Sequence, residues 1–317
     1  MGSMNDLSPL LRCPRCHGDV ADNRCLNATC SCSAGFPLAS GQPVMIDFDR
    51  SVFERSAFAD GCGSVLKRDD ERLGLRARLN GLFFGPNPIA ARIATTMVTR
   101  LRDNGGPRRL LVIGGGARGS GADPLYQADG IELIGTDVYA SPFTQIVADG
   151  HELPFKSSTF DAVWIQAVLE HVLEPSRVID EIHRVLKPSG LLYADTPFMQ
   201  QVHEGAYDFT RFTLSGHRWL LRRFEEIESG PVGGAGTVLS WSAKYLLHAM
   251  GAPSAVAWLA RYASFPLRYL DGLGPRRNRT DAASSVYFFG RRSEHSLGPK
   301  DMIAYYRAQA EPSPPTA

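Results

Sequence analysis

Several common features are missing from this 317-residue chain. No apolar run approaches the length of about 20 residues that a membrane-spanning helix needs, so we expect no transmembrane segment. Lys and Arg number 34 against 33 Asp and Glu, so the chain lacks the net basic field that attracts nucleic acid. We therefore expect no nucleic-acid partner. No secretory signal is evident, which predicts a reducing, cytoplasmic environment.

Cysteine is scarce over most of the chain and concentrated near its start. Five of the six cysteines fall between residues 13 and 32, and the sixth is Cys62. In a reducing environment such clustering favours a metal site over disulfides. Four thiolates, beginning with the zinc-knuckle spacing C-P-R-C, close a tetrahedral structural Zn²⁺ site. The predicted ligands are Cys13, Cys16, Cys25 and Cys30. Cys32 is the alternative to Cys30.

The pattern that points most directly to a ligand is an apolar strand that runs into glycines, Leu110–Gly121 (LLVIGGGARGSG). Glycines here let a ligand approach the backbone. Asp137 ends a second apolar run, Ile131–Ile134, where an acid can bind a ribose diol. A third short strand, Ile146–Ala148, ends at another acid, Asp149. The pattern predicts a nucleotide-type ligand at the carboxyl edge of a parallel sheet.

The blocks that follow carry a family resemblance. They are ADGHELPF from residue 148, FDAVW from 160, LEHV from 169 and HRVLKPSGLL from 183. Across Arg108–Phe198 their order and spacing resemble class I S-adenosylmethionine (SAM)-dependent methyltransferases. A NAD-dependent dehydrogenase would instead show a spaced G-x-G-x-x-G. The resemblance implies SAM as cofactor and an α/β fold with a Rossmann-like seven-stranded methyltransferase sheet. Its last strand, Val286–Gly290, is expected to lie antiparallel beside the sixth, Phe224–Glu228.

The resemblance also assigns the cofactor site. SAM is expected to place its ribose hydroxyls on Asp137, its adenine between Val138 and Tyr139, and an amino group near Asp149. The expected cofactor-binding residues are Gly114, Gly115, Gly116, Gly119, Asp137, Val138, Tyr139, Asp149, Gly150, His151 and Gln166. The chain departs from the family at Val112, where the family often has an acid. Another polar group must therefore meet the SAM amino group.

The segment after the fifth strand, Asp195–Thr213, is rich in groups that handle protons. Methyl transfer needs a positioned nucleophile and, for a hydroxyl, a proton acceptor. His203 is the predicted catalytic base, since imidazole titrates near neutral pH. The expected substrate-binding residues are His171, Glu204, Tyr207, Asp208 and Arg211. Asp208 and Arg211 form a structural ion pair in the alternative interpretation.

Glu170-His171 resembles part of an E-x-x-E-H metal pattern found in ubiquinone-pathway O-methyltransferases. Ala167 replaces the first acid of that pattern here, so no metal is expected at this place. His171 is expected to face the substrate or to be structural.

The segment GFPLASGQPVMIDF after the cysteines resembles the small zinc ribbon found beside or fused to several methyltransferases. The expected organisation is a zinc-ribbon domain at 8–50, a linker at 51–85, a methyltransferase domain at 86–292 and a C-terminal tail at 293–317. A helical insertion at about 233–283 carries two aromatic-rich runs, Val238–Met250 and Ser254–Leu273. It is expected to pack on the core or to form a homodimer contact. The alternative is a wall for an apolar substrate portion.

These patterns predict an enzyme, a SAM-dependent methyltransferase that methylates a small-molecule, saccharide or lipid-like acceptor at oxygen. Two alternatives remain open. One is an RNA base methyltransferase, because some of these enzymes also carry an N-terminal zinc ribbon. The other is a non-catalytic partner module that retains the SAM fold as a scaffold.

Overall fold

The computed structural model describes residues 7–58, 85–103 and 105–308. The N-terminal part holds two short antiparallel hairpins, β1 (Val20–Ala21) with β2 (Arg24–Cys25), and β3 (Leu38–Ala39) with β4 (Gln42–Pro43). Short 3-10 helices lie around them, at Ser8–Leu10, Ser31–Ala34, Phe48–Arg50 and Arg55–Phe58. The expected linker residues 59–84, with Cys62, and the end of the expected tail, 309–317, fall outside the described residues.

A seven-stranded sheet forms the centre of the described structure. Its strands are β5 (Arg108–Ile113), β6 (Ile131–Asp137), β7 (Ile146–Val147), β8 (Phe160–Gln166), β9 (Leu186–Pro197), β10 (Phe224–Val232) and β11 (Ser285–Arg292). The spatial order is β10-β11-β9-β8-β5-β6-β7. Strands β5 to β9 are parallel, and β11 runs antiparallel between β9 and β10. The predicted α/β fold with an antiparallel last strand is therefore confirmed.

The helices are α1 (Pro88–Asp103), α2 (Asp123–Tyr126), α3 (Pro175–Val185), α4 (Leu214–Leu220), α5 (Ala235–Ala249), α6 (Ser254–Ala263), α7 (Arg276–Asp281) and α8 (Pro299–Ala308). Further 3-10 helices occupy Gly205–Tyr207 and Phe265–Gly272. The expected second run of the insertion is thus divided. Pro266 lacks the N–H that an α-helix interior requires, so α6 ends at Ala263 and a 3-10 helix follows. No helix in the described ranges is long and apolar enough to cross a membrane.

The sheet is buried on both faces because its strands alternate between two apolar layers. Leu110 and Val112 of β5 pack in the layer of α1, whereas Leu111 and Ile113 pack in the layer of α3. Leu110–Ile113 of β5 therefore reads as a continuous apolar run, as a parallel strand covered on both sides does. This arrangement leaves the carboxyl ends of the strands as the open edge of the sheet.

The N-terminal segment shares a core with this sheet. Leu11 bridges Phe155, and Val44 bridges Val147 at the end of β7. The Met45 backbone N–H donates to the Val147 carbonyl at 2.8 Å. These contacts fix residues 44–53 against the same sheet edge to which the predicted ligand residues belong.

Candidate active site and thiolate cluster

A cavity of about 680 Å³ lies at the carboxyl ends of β5, β6, β7 and β8. This is the edge at which open α/β sheets bind ligands, and the volume suits a small organic molecule. The predicted cofactor residues that line it are Gly114, Gly119, Asp137, Val138, Asp149, Gly150, His151 and Gln166. Sequence reasoning had not singled out Arg118, Ser120 and Thr136, which also line it.

In the glycine turn after β5, neighbouring side chains leave no room for a side chain larger than glycine. Gly114 has a φ of +74°, and a Cβ there would lie 2.1 Å from Val168 Cγ2. A Cβ on Gly116 would lie 2.2 Å from the Tyr139 ring. Gly115, Gly116 and Tyr139 are not among the residues that line the cavity, and their place in the cofactor site stays a prediction. The Tyr139 ring packs against Gly116, so it does not flank the cavity as Val138 does.

Asp137 holds the turn and faces the cavity at once. Its Oδ2 accepts from the Gly116 N–H at 2.7 Å, and its Oδ1 accepts from the Val138 N–H at 2.7 Å. The carboxylate thus fixes the glycine backbone against the end of β6. A ligand with a diol can meet the side of the carboxylate that the cavity exposes.

Asp149 lies at the centre of a hydrogen-bonded group. His151 Nδ1 lies 2.5 Å from its Oδ1, and Ser51 Oγ donates to its Oδ2 at 2.5 Å. His151 Nε2 accepts from the Glu174 N–H at 3.1 Å, which assigns the imidazole proton to Nδ1. Although burial acts to raise it, the bonds from His151 and Ser51 lower the pKa of Asp149. The cavity therefore holds a fixed anion at this end at neutral pH.

Part of the cavity wall comes from the start of the expected linker. Val52 and Phe53 line the cavity, and the Phe53 ring stacks on Tyr207 with centroids 5.8 Å apart. No pattern in the sequence signalled this role, since these residues follow the cysteines without a motif of their own. The N-terminal segment thus reaches both ends of the site.

The predicted proton-handling residues His171, His203, Glu204 and Tyr207 also line the cavity. The two imidazole rings lie 4.8 Å apart in an edge arrangement. His171 Nδ1 lies 2.8 Å from the Tyr207 carbonyl, which accepts its proton and leaves Nε2 as an acceptor. Burial lowers the pKa of His171, so its ring is neutral at neutral pH.

Asp208 and Arg211 do not line the cavity; they form the ion pair that was the alternative expectation. Asp208 Oδ2 accepts from Arg211 Nη2 at 2.9 Å and from the His203 N–H at 2.8 Å. Burial acts to raise the pKa of Asp208, but Arg211 and the His203 N–H lower it to about 2. Its carboxylate is therefore occupied and cannot also fix substrate hydroxyls. Its role is to hold the loop that carries His203.

Glu170 is fully buried behind the two imidazoles. Among the described residues, neither of its carboxylate oxygens has a hydrogen-bond partner. Its Oε1 lies 3.6 Å from His171 Nε2, and burial raises the pKa of Glu170 to about 8. Glu170 therefore keeps its proton at neutral pH and can share it with His171.

The four predicted thiol ligands lie close together within the N-terminal segment. The Sγ atoms of Cys13, Cys16, Cys25 and Cys30 lie within 4.8 Å of one another. The Cys16–Cys25 and Cys13–Cys30 Sγ distances are 3.3 and 3.8 Å. Tetrahedral coordination with Zn–S bonds of about 2.3 Å places sulfurs about 3.8 Å apart. The backbone N–H groups of Arg15 and Cys16 hydrogen-bond to Cys13 Sγ, so the cluster fits a tetrahedral metal.

Comparison with known proteins gives a match over part of the chain. Residues 111–194 match the family model described as a methyltransferase domain. The demethylmenaquinone methyltransferase of Clavibacter sepedonicus is 44% identical over 64 residues, which are 19% of this chain and 26% of that protein. The ubiquinone/menaquinone biosynthesis C-methyltransferase UbiE of Neisseria meningitidis serogroup C is 36% identical over 69 residues, 22% of this chain and 28% of that protein. The chain thus spans little more than a quarter of these relatives.

A solved structure is similar over more of the chain. Phosphoethanolamine N-methyltransferase 2 of Haemonchus contortus, in complex with S-adenosyl-L-methionine, aligns with a TM-score of 0.44 and 16% identity. The alignment covers 68% of this chain and 56% of that one. The residues that match the methyltransferase-domain family model, 111–194, include the glycine turn and both acids of the cavity.

Proposed function

We propose that this protein is a SAM-dependent methyltransferase that methylates a small-molecule, saccharide or lipid-like acceptor at a hydroxyl oxygen. One observation carries the proposal: a single cavity is lined by the glycine turn and two acids, and also by two imidazoles. We assign the glycines and acids to a nucleoside and call them the nucleoside end; we assign the imidazoles, the acceptor end, to an acceptor that must lose a proton. The sequence match to methyltransferase domains over 111–194 agrees with it.

In this proposal the nucleoside end is held by residues from three strands and the N-terminal segment. Asp137 takes the ribose diol, and Val138 and Phe53 provide apolar contact to the adenine. Asp149, fixed by His151 and Ser51, accepts from an amino group. SAM supplies the methyl group when bound, and its sulfur leaves as a neutral thioether.

At the acceptor end, His203 acts as the base. Its Nδ1 lies 3.3 Å from both Asp208 Oδ2 and the Gln201 carbonyl. Both acceptors are nearer to Nδ1 than the neighbouring donor, Arg211 Nη2 at 3.5 Å, so they favour the proton on Nδ1, which leaves Nε2 to receive one. As the acceptor oxygen bonds to the methyl carbon, the carbon–sulfur bond breaks and the hydroxyl proton moves to His203 Nε2. Asp208 stabilises the resulting imidazolium.

The thiolate cluster is proposed to hold one structural Zn²⁺. Four cysteine ligands fill a tetrahedral site and leave no open position for catalysis. The metal instead fixes a segment too short to bury a core of its own. Because Ser51, Val52 and Phe53 follow directly on that segment, the metal is proposed to support the cofactor end of the cavity.

Methylation at carbon is the second candidate, and it is favoured by the names of the matching proteins. These include a demethylmenaquinone methyltransferase and a C-methyltransferase of quinone biosynthesis. On a hydroxylated ring, removal of the hydroxyl proton makes the neighbouring carbon nucleophilic. His203 would then serve the same role, and the difference lies only in which acceptor atom faces the methyl group.

The test begins with SAM titration by calorimetry, which separates an enzyme from a scaffold that has no need of SAM. SAM carrying a deuterated methyl group is then incubated with phenolic, saccharide and quinol acceptors, and with RNA. We expect a mass increase in a small hydroxylated acceptor, and NMR of the product assigns it to oxygen or carbon. Failure to bind SAM, or label only in RNA, would refute the proposal.

A further inference from the structure

A helix pair that packs on a protein core buries large apolar side chains. In the helical insertion the buried side chains are small, and several large apolar ones are exposed. The buried positions of α5 and α6 are Gly236, Ser240 and Ala257. Six large apolar residues are between 56% and 73% exposed, whereas Trp241, Tyr245 and Trp258 are half-buried. These six are Leu239, Leu246, Met250, Leu259, Tyr269 and Leu273. No part of the chain that the structure describes covers them.

The insertion is nevertheless well ordered by contacts within itself. The Asp271 carboxylate accepts from the N–H groups of Gly236 and Thr237 at 2.7 and 3.1 Å, and so caps α5. Ser264 Oγ donates to Ser240 Oγ at 3.1 Å across the helix pair. A Cβ on Gly236 would lie 1.9 Å from the Leu267 carbonyl oxygen. Small residues inside allow this close approach and force the large ones to the surface, as in helices that associate within lipid.

The charge of α5, α6 and the 3-10 helix favours an anionic partner. Residues 235–272 contain three Lys and Arg against one Asp, a formal charge of +2 in a chain whose total is +1. Lys244 Nζ lies 4.2 Å and Arg261 Cζ 5.0 Å from the Trp258 ring centroid. Cations beside aromatic rings, next to exposed leucines, are typical of helices that lie in a membrane interface. A two-fold contact between copies would instead bring two such positive segments together.

We propose that α5, α6 and the 3-10 helix Phe265–Gly272 form a docking surface for an anionic lipid bilayer, lying in its interface without crossing it. Helices of 15 and 10 residues are too short to span. The surface adjoins the acceptor end of the cavity, because Gln201 Nε2, on the loop of His203, donates to Ser242 Oγ of α5 at 3.0 Å. Docking therefore brings the acceptor end next to the lipid. The proposal does not depend on methyl transfer, since lipid binding needs no SAM.

Flotation of the full chain with vesicles tests it. One set of vesicles is phosphatidylcholine alone, and the other contains about one third phosphatidylglycerol. We expect binding to the anionic vesicles that weakens as salt is added. The double variant Leu246→Asp with Leu259→Asp is expected to bind at least about tenfold more weakly. Ile303→Asp, at an equally exposed apolar site on α8, is the matched control and is expected to float like the unchanged chain.

Melting temperature and SAM affinity are measured for each variant, and the single variant Leu273→Asp is added in case the double variant does not fold. No flotation of the unchanged chain on anionic vesicles would overturn the proposal, as would equal flotation of the variants. A dimer in sedimentation that the double variant dissociates, without vesicle binding, would show a self-association face instead. Loss of SAM binding alone would bear on the proposed function and leave the vesicle result standing.

Discussion

Asp137→Ala is expected to weaken SAM binding by about 1.5–3 kcal/mol, the range for losing a hydrogen bond to a charged group. That corresponds to roughly a 10- to 150-fold higher Kd. The structure gives two reasons for the loss. The carboxylate faces the cavity, and it also accepts from the Gly116 N–H at 2.7 Å. Alanine removes both the ligand contact and the support of the glycine turn.

The two contributions can be separated. Asp137→Asn keeps an oxygen that can accept from Gly116 but loses the charge, so its Kd should fall between those of the unchanged chain and the alanine variant. Asp129→Ala removes an exposed acid away from the cavity and should leave the Kd unchanged. Calorimetry with SAM gives the affinities, and thermal denaturation shows that each variant folds. Unaltered affinity in a folded Asp137→Ala protein would contradict the assignment of the diol site.

Three further outcomes follow from the same geometry. His203→Ala should lower methyl transfer by roughly 10²–10⁴-fold while SAM affinity stays the same, and near-normal turnover would make His203 a bystander. Elemental analysis should find one zinc per chain, absent in Cys16→Ser but retained in Cys32→Ser and His171→Ala; a metal-free chain purified without chelator would refute the site. Burial raises the pKa of Glu170 from 4.5 to about 8, so the folded state binds this proton more tightly than the unfolded state does. The stabilisation that the proton gives is lost as pH rises between these two values. Glu170→Gln should therefore gain relative stability by up to about 1.4 kcal/mol for each pH unit there, and denaturant titrations showing a pH-independent difference would exclude this.

The sheet was predictable because its strands are apolar on both faces. The run Leu110–Ile113 has no polar position, Ile131–Ile134 has only Glu132, and the acids Asp137 and Asp149 mark the ends of two further strands. The order of the sequence blocks between residues 148 and 192 resembles that of class I SAM-dependent methyltransferases, and this resemblance predicted how the strands connect. The spacing of Ile89, Ile93, Met97 and Leu101 also predicts helix α1, since one face of a helix repeats at that interval.

The details of the cavity could not be predicted, because they depend on side-chain packing between distant segments. The glycine cluster signalled a turn, but the Tyr139 ring decides which glycines face the cavity. The loop after β9 signalled proton-handling groups, but Asp208 is bonded to Arg211 and does not line the cavity. Burial also raises the pKa of Glu170, which no sequence motif indicates.

The N-terminal segment shows how far such packing extends. Ser51 donates to Asp149 at 2.5 Å across a sequence separation of 98 residues, and Phe53 meets Tyr207 from still further away. A segment with two-residue strands has little core of its own, so its position depends on the thiolate cluster and on Leu11, Val44 and Met45 against the sheet. Because that position sets both Ser51 and Phe53, the thiolate cluster and the cavity are coupled through one segment of the chain. The cysteines therefore belong to the physical explanation of how the cavity keeps its shape.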